Sequence, residues 1–162
     1  MLCQTRAGNI SPIVKEFIED GIKNLDYSHE LDASKLSTNG HVYNLQKTLD
    51  TLNREYFDQK LNLCITWFGK PSVRSRNRLT FGLYHDPLRL IKINRLLDSP
   101  SFPSYLIDYV VYHEMLHHVC PSYYENGVHK VHTREFKERE LEFKHYNLAQ
   151  NWLEEHTEYL FS

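Results

Sequence analysis

The stretch from Tyr105 to Cys120 constrains this chain more than any other. Leu106, Ile107, Tyr109, Val110, Val111 and Tyr112, followed by Met115, Leu116 and Val119, are apolar almost all the way round a helical projection. A helix that is apolar on every side is buried rather than amphipathic, so a fold has to be built around it. Yet the same segment carries His113-Glu114-Met115-Leu116-His117, a His-Glu-x-x-His pattern. Residues four apart lie one turn above each other on a helix, so His113 and His117 point the same way. Two imidazoles and a carboxylate inside a buried helix are costly unless something satisfies them. A metal ion would: the two rings ligate it, and Glu114, turned by about 100° from His113, reaches a water on that ion without ligating it. With ten histidines in the chain the bare pattern carries little weight, and its apolar setting is what gives it weight.

A length of 162 residues, with 41% hydrophobic and 25% charged residues, suits one ordinary globular domain with a real core. No apolar run approaches the roughly 18 residues of a membrane span. The start, Met1-Leu2-Cys3-Gln4-Thr5-Arg6, leads into no signal-peptide core, so the expectation is an intracellular, cytoplasmic protein. Cys3, Cys64 and Cys120 are scattered and form neither a disulfide framework nor a zinc ribbon. A formal net charge of −2 supplies no global field to drive the chain onto nucleic acid, which leaves only local patches for that purpose.

Along the chain, Ser11-Pro12 reads as an N-cap with proline at the first helical position, opening a short amphipathic helix to about Leu25. Residues 26–40 are polar and turn-rich, and the first 40 residues read as a helical appendage and loop on a domain spanning 41–162. Cys3 is a candidate plug for the metal, since thiolates bind zinc well. A second helix is expected from Val42 to Phe57, with Leu45, Leu49, Leu52 and Tyr56 inside. Leu61–Trp67, Arg78–Tyr84 and Leu88–Asn94 read as three strands with short connections, predicting a small antiparallel meander. Residues 121–131 read as a loop, and the pattern turns helical again from Thr133. Lys70, Arg74, Arg76, Arg78, Arg89, Lys92 and Arg95 stand against Asp86 in the 70–95 segment. Lys70, Arg74, Arg76 and Arg78 are candidate phosphate contacts, beside aromatic residues able to stack on bases. The plainer reading is a solvated sheet face.

A catalytic zinc site uses three protein ligands and leaves the fourth position to water. Cys120 and Tyr123 stand where a HExxHxxGxxH site needs Gly and His, which excludes that class. A Glu from a following helix, with Glu138 best placed, or a histidine at the loop–helix junction, His129 or His132, remains open as the third ligand. His118 and His129 otherwise read as surface histidines.

His113-Glu114-Met115-Leu116-His117, followed by His132-Thr133-Arg134-Glu135-Phe136-Lys137, resembles the SprT-like metallopeptidase family. Leu52-Asn53-Arg54-Glu55-Tyr56-Phe57, Ile65-Thr66-Trp67 and Ile91-Lys92-Ile93-Asn94-Arg95-Leu96-Leu97 are similar to that family's leading helix and strands, so the resemblance spans about residues 42–145. It implies a zincin-like α+β fold, in which a small three-stranded sheet packs with the buried helix and flanking helices. It also implies a Zn2+ endopeptidase acting on protein or peptide substrates, with His132 as third ligand beside His113 and His117. In the family's best-known eukaryotic branch the substrates are proteins crosslinked to DNA. The chain departs from many bacterial relatives in carrying no four-cysteine ribbon. The expected chemistry is amide hydrolysis with Glu114 as proton carrier. Tyr123, Tyr124 and His129 are candidate donors to the oxyanion, and a sheet edge would hold the substrate strand. The competing expectation is a non-catalytic, zinc-stabilised domain that binds DNA or a protein partner through residues 70–95.

Overall fold

The computed structural model describes residues 11–23, 25–70 and 79–161. Their order is α1 (Pro12–Lys23), α2 (Leu45–Phe57), β1 (Cys64–Phe68), β2 (Gly82–His85), β3 (Leu90–Asn94), α3 (Ser104–Val119), β4 (Tyr123–Glu125), β5 (Val128–Lys130), α4 (Arg134–Glu140) and α5 (Tyr146–Phe161). The class is α+β, as the sequence predicts, and the segment apolar on all sides is the centre of the molecule. α3 buries Leu106, Ile107, Tyr109, Val110, Val111, Tyr112, Met115 and Leu116. It does so between β2 and β3 on one hand and α2, α4 and α5 on the other. Each fully buried Leu or Ile there contributes roughly 1.5–3 kcal/mol of hydrophobic stabilisation. Among the described residues no helix is long and apolar enough to cross a membrane.

The three-stranded sheet differs from the expected antiparallel meander. Its order is β1-β3-β2, with β1 and β3 parallel (Ile65 opposite Ile91) and β2 and β3 antiparallel (Gly82 opposite Ile93). The connections are not short throughout. Only β2 and β3 are joined tightly, through a 3-10 turn at Asp86–Leu88. The chain between β1 and β2 is long enough to carry β2 to the far side of β3, which then pairs on both edges. Ile91 and Ile93 bury one face of β3, while on the other Leu90 is buried and Lys92 and Asn94 are half-buried.

α2 begins at Leu45 rather than Val42 because the preceding backbone is already committed. The Asp98 carboxylate accepts from the N–H groups of His41 (2.6 Å), Val42 (2.9 Å) and Tyr43 (3.1 Å). Burial would raise the pKa of Asp98, but these donors outweigh it and hold the carboxyl below its ordinary value. A side chain at Gly40 would collide with that carboxylate, so this turn needs glycine. Asn44 then caps α2 by accepting from Lys47 N–H at 2.9 Å.

The segment 26–40 holds two 3-10 turns, at Ser28–Glu30 and Ala33–Lys35. From Ser37 onward it is tied to β1: Ser37 N–H donates to Thr66 Oγ1 (2.9 Å), and Trp67 N–H donates to the Ser37 carbonyl (2.8 Å). The expected loop at 121–131 is instead a hairpin of β4 and β5. Asn126 and Gly127, both at positive φ (50° and 74°), form its turn, and Asn-Gly is the strongest short hairpin signal a sequence carries.

Candidate metal centre

α3 presents His113 and His117 on one face, as the four-residue spacing requires. His132 arrives from the junction between β5 and α4, where Thr133 caps α4 by accepting from Phe136 N–H at 3.1 Å. That cap starts the helix immediately after His132 and turns Phe136 inward, where it is fully buried. The Phe136 ring lies 4.9, 4.8 and 4.8 Å from the rings of His113, His117 and His132. The three imidazoles are 5.1 Å apart pairwise, a regular triangle seated on one aromatic floor. Their candidate ligand atoms all fall within 4.8 Å of one another, close enough for one metal ion to engage all three.

The electrostatics suit a cation. A ligating imidazole must be neutral. Burial, then the neighbouring His113 and His132, bring the pKa of His117 down to about 4. Burial and His113 likewise lower that of His132. The orientation of His113 is set from behind, where its Nδ1 lies 2.6 Å from Glu140 Oε1. Burial alone would raise the Glu140 carboxyl, but contacts from His113 and Tyr109 outweigh it and keep it ionised. An ionised carboxylate only accepts, so Nδ1 carries a hydrogen and Nε2 is the ring nitrogen left to face a metal ion. Tyr109 also donates to Glu140 (2.7 Å), and Gln150 of α5 donates to the Tyr109 oxygen (2.7 Å). A carboxylate behind a ligating histidine fixes its tautomer and raises its basicity.

Glu114 is only 6% exposed and lies beneath β2. A Cβ built at Gly82 would stand 2.6 Å from Glu114 Oε1, 2.8 Å from its Cγ and 3.0 Å from its Cδ. The absence of a side chain at Gly82 is therefore what gives the carboxylate its slot. Burial pushes the Glu114 pKa up to about 7, and His113 offsets only part of that. A carboxyl that titrates near neutrality can both accept and return a proton. The three histidines and Glu114 line a cleft of about 870 Å³, bounded by β2, the junction before α4, and α5.

Sequence reasoning missed several members of this arrangement. Glu138 faces solvent and pairs with Arg134 at 2.7 Å, whereas Glu140, two residues on, is the carboxylate that reaches the histidines. Tyr109 was readable only as core, although it stands four residues before His113 on the same face. His118 is half-buried, not a surface histidine: its Nδ1 lies 2.8 Å from the Tyr84 hydroxyl and 3.0 Å from Arg89 Nη1. Tyr123, Tyr124 and His129 sit on the β4–β5 hairpin, where the rings of Tyr124 and His129 stack at 4.5 Å. None of the three lines the cleft. Among the basic residues, Lys70 is exposed, Arg89 is drawn in beside Asp86 and His118, and Arg95 bonds Ser37 Oγ at 3.0 Å. Arg74, Arg76, Arg78 and Cys3 lie outside the described residues.

No protein-family model matches the chain, and neither the curated proteins nor the solved structures yield a significant match.

Proposed function

We propose that this chain is a zinc metallopeptidase of the SprT-like type with a zincin-like fold, hydrolysing peptide bonds in extended protein segments. The observation that carries the reading is the convergence of His113, His117 and His132, from two separate parts of the chain, beside a buried Glu114. Three imidazoles form a donor set suited to Zn2+ that leaves a fourth position open. When bound there, the ion supplies Lewis acidity toward a water and a substrate carbonyl.

The remaining steps belong to the chain's own groups. His113, His117 and His132 offer ring nitrogens, with Glu140 and Tyr109 locking the first of them in orientation. Glu114, held under Gly82, takes the proton from the attacking water and returns it to the leaving amine. Among the described residues β2 pairs only with β3, so its outer edge is where an incoming strand would add beside Glu114. Leu79, Phe81 and Val131 wall the cleft.

The test combines metal analysis of the purified protein with cleavage of an unstructured protein. The wild type should carry about one equivalent of zinc and cleave. Glu114→Gln should keep the zinc and lose activity by roughly 10²–10⁴-fold. Cleavage that persists in Glu114→Gln would remove the enzyme reading.

A further inference from the structure

We infer that the cleft is selective for an extended polypeptide segment with a large aliphatic or aromatic side chain next to the bond presented to Glu114, and that it disfavours acidic segments. This rests on the peptidase reading for the fate of the segment, but not for its binding.

The walls carry the argument. Leu79, Phe81 and Leu83 line the cleft from the β2 side, and Leu83 is about half-exposed into it. Val131, beside His132, and Leu153, from α5, line it elsewhere. Among the described lining residues there is no Lys or Arg, so away from the three histidines an acidic side chain or a phosphate finds no cationic side chain to pair with. It meets the Asp86 carboxylate instead. A basic side chain fares little better. Asp86 already accepts from Tyr84 (3.0 Å) and faces Arg89 (3.4 Å), and the buried Glu114 is committed beside the histidines. What the surface rewards is the removal of apolar area from water.

The chain itself supplies an example of a suitable occupant. Ile22 of α1 reaches the same cleft, placing an aliphatic side chain there while staying 40% exposed. The volume of about 870 Å³ is at the upper end of ligand cleft sizes and has room for more than one residue. The outer edge of β2, unpaired among the described residues, supplies main-chain partners that ignore side-chain identity. Discrimination therefore falls to the apolar walls.

The experiment uses the full chain carrying Glu114→Gln, so that no peptide is consumed, and capped hexapeptides differing only at one central residue: Leu, Phe, Lys or Glu. Binding is read from amide chemical shifts. The Leu and Phe peptides should bind roughly tenfold or more tightly than the Glu peptide, with shifts at Leu83, Val131 and Leu153. Leu83→Glu, a change at an exposed strand position, should cut that preference and favour the Lys peptide. Equal affinity for the Glu peptide, shifts confined to other parts of the surface, or no shift with any peptide would overturn the inference. Cleavage of the same peptides by the wild type is scored separately. Selective binding without cleavage would sink the peptidase reading and leave the cleft's selectivity standing.

Discussion

Gly82→Ala isolates one contact on which the site depends. Gly82 is not in the left-handed backbone region, so alanine can adopt its conformation without strain, and the penalty comes from the new methyl group alone. That methyl would stand 2.6–3.0 Å from three atoms of Glu114. Neither partner can easily withdraw. Gly82 is registered against Ile93 of the central strand, and Glu114 is fixed by a helix buried on all sides. Overpacking of this kind, which includes forcing the Glu114 side chain off its rotamer, costs about 1–3 kcal/mol. Against this, replacing glycine stabilises by about 0.4–1 kcal/mol through the unfolded chain. The clash wins, and a net loss of about 1–2 kcal/mol is expected.

The assay is urea unfolding of the metal-free protein as a double-mutant cycle with Glu114→Ala. In that background the carboxylate is gone, so Gly82→Ala should be neutral or slightly stabilising, giving a coupling of about 1–3 kcal/mol. An identical cost in both backgrounds would refute the contact. With zinc present, Gly82→Ala should also lower hydrolysis while leaving metal content unchanged, because the histidines are untouched.

Further outcomes follow from the same geometry. His132→Ala should abolish stoichiometric zinc binding while the helices persist by circular dichroism; unchanged occupancy would move the third ligand elsewhere. Glu140→Gln should weaken zinc binding roughly 10–100-fold in a chelator competition, and an unaltered affinity would show that the carboxylate does not act through His113. In metal-free protein the raised Glu114 pKa means the folded state holds an extra proton between about 4.5 and 7. Stability is therefore lost as pH rises through that window, by about 3 kcal/mol. Glu114→Gln should exceed the wild type in stability at pH 8 and match it near pH 4, and parallel pH curves would count against the burial argument. Asp98→Ala removes the acceptor of three backbone donors and should cost about 1.5–3 kcal/mol in thermal unfolding, with little effect on metal affinity.

What could be read from the sequence divides along a physical line. Relations within one helix were legible because helical periodicity is fixed: the buried α3, the shared face of His113 and His117, and the offset of Glu114 all follow from a rotation of 100° per residue. Relations between elements were not. Spacing alone left His129, His132 and Glu138 as open choices for the third ligand, and only the family resemblance favoured His132. The sheet came out mixed because strand direction depends on how far the connections reach, and alternation of side chains is blind to that. Glu140 hid inside a charge run that reads as a solvated face. Glu138 does lie on that face, but two residues along a helix amount to about 200° of rotation, which carries Glu140 to the opposite side. Gly82 was equally unmarked, since a glycine in a strand signals close approach without naming the neighbour. The site thus joins a legible core on α3 to supports brought in by β2 and α4. Those supports, Gly82 over the carboxylate and Glu140 behind His113, are where a substitution can alter the site without touching any of the three histidines.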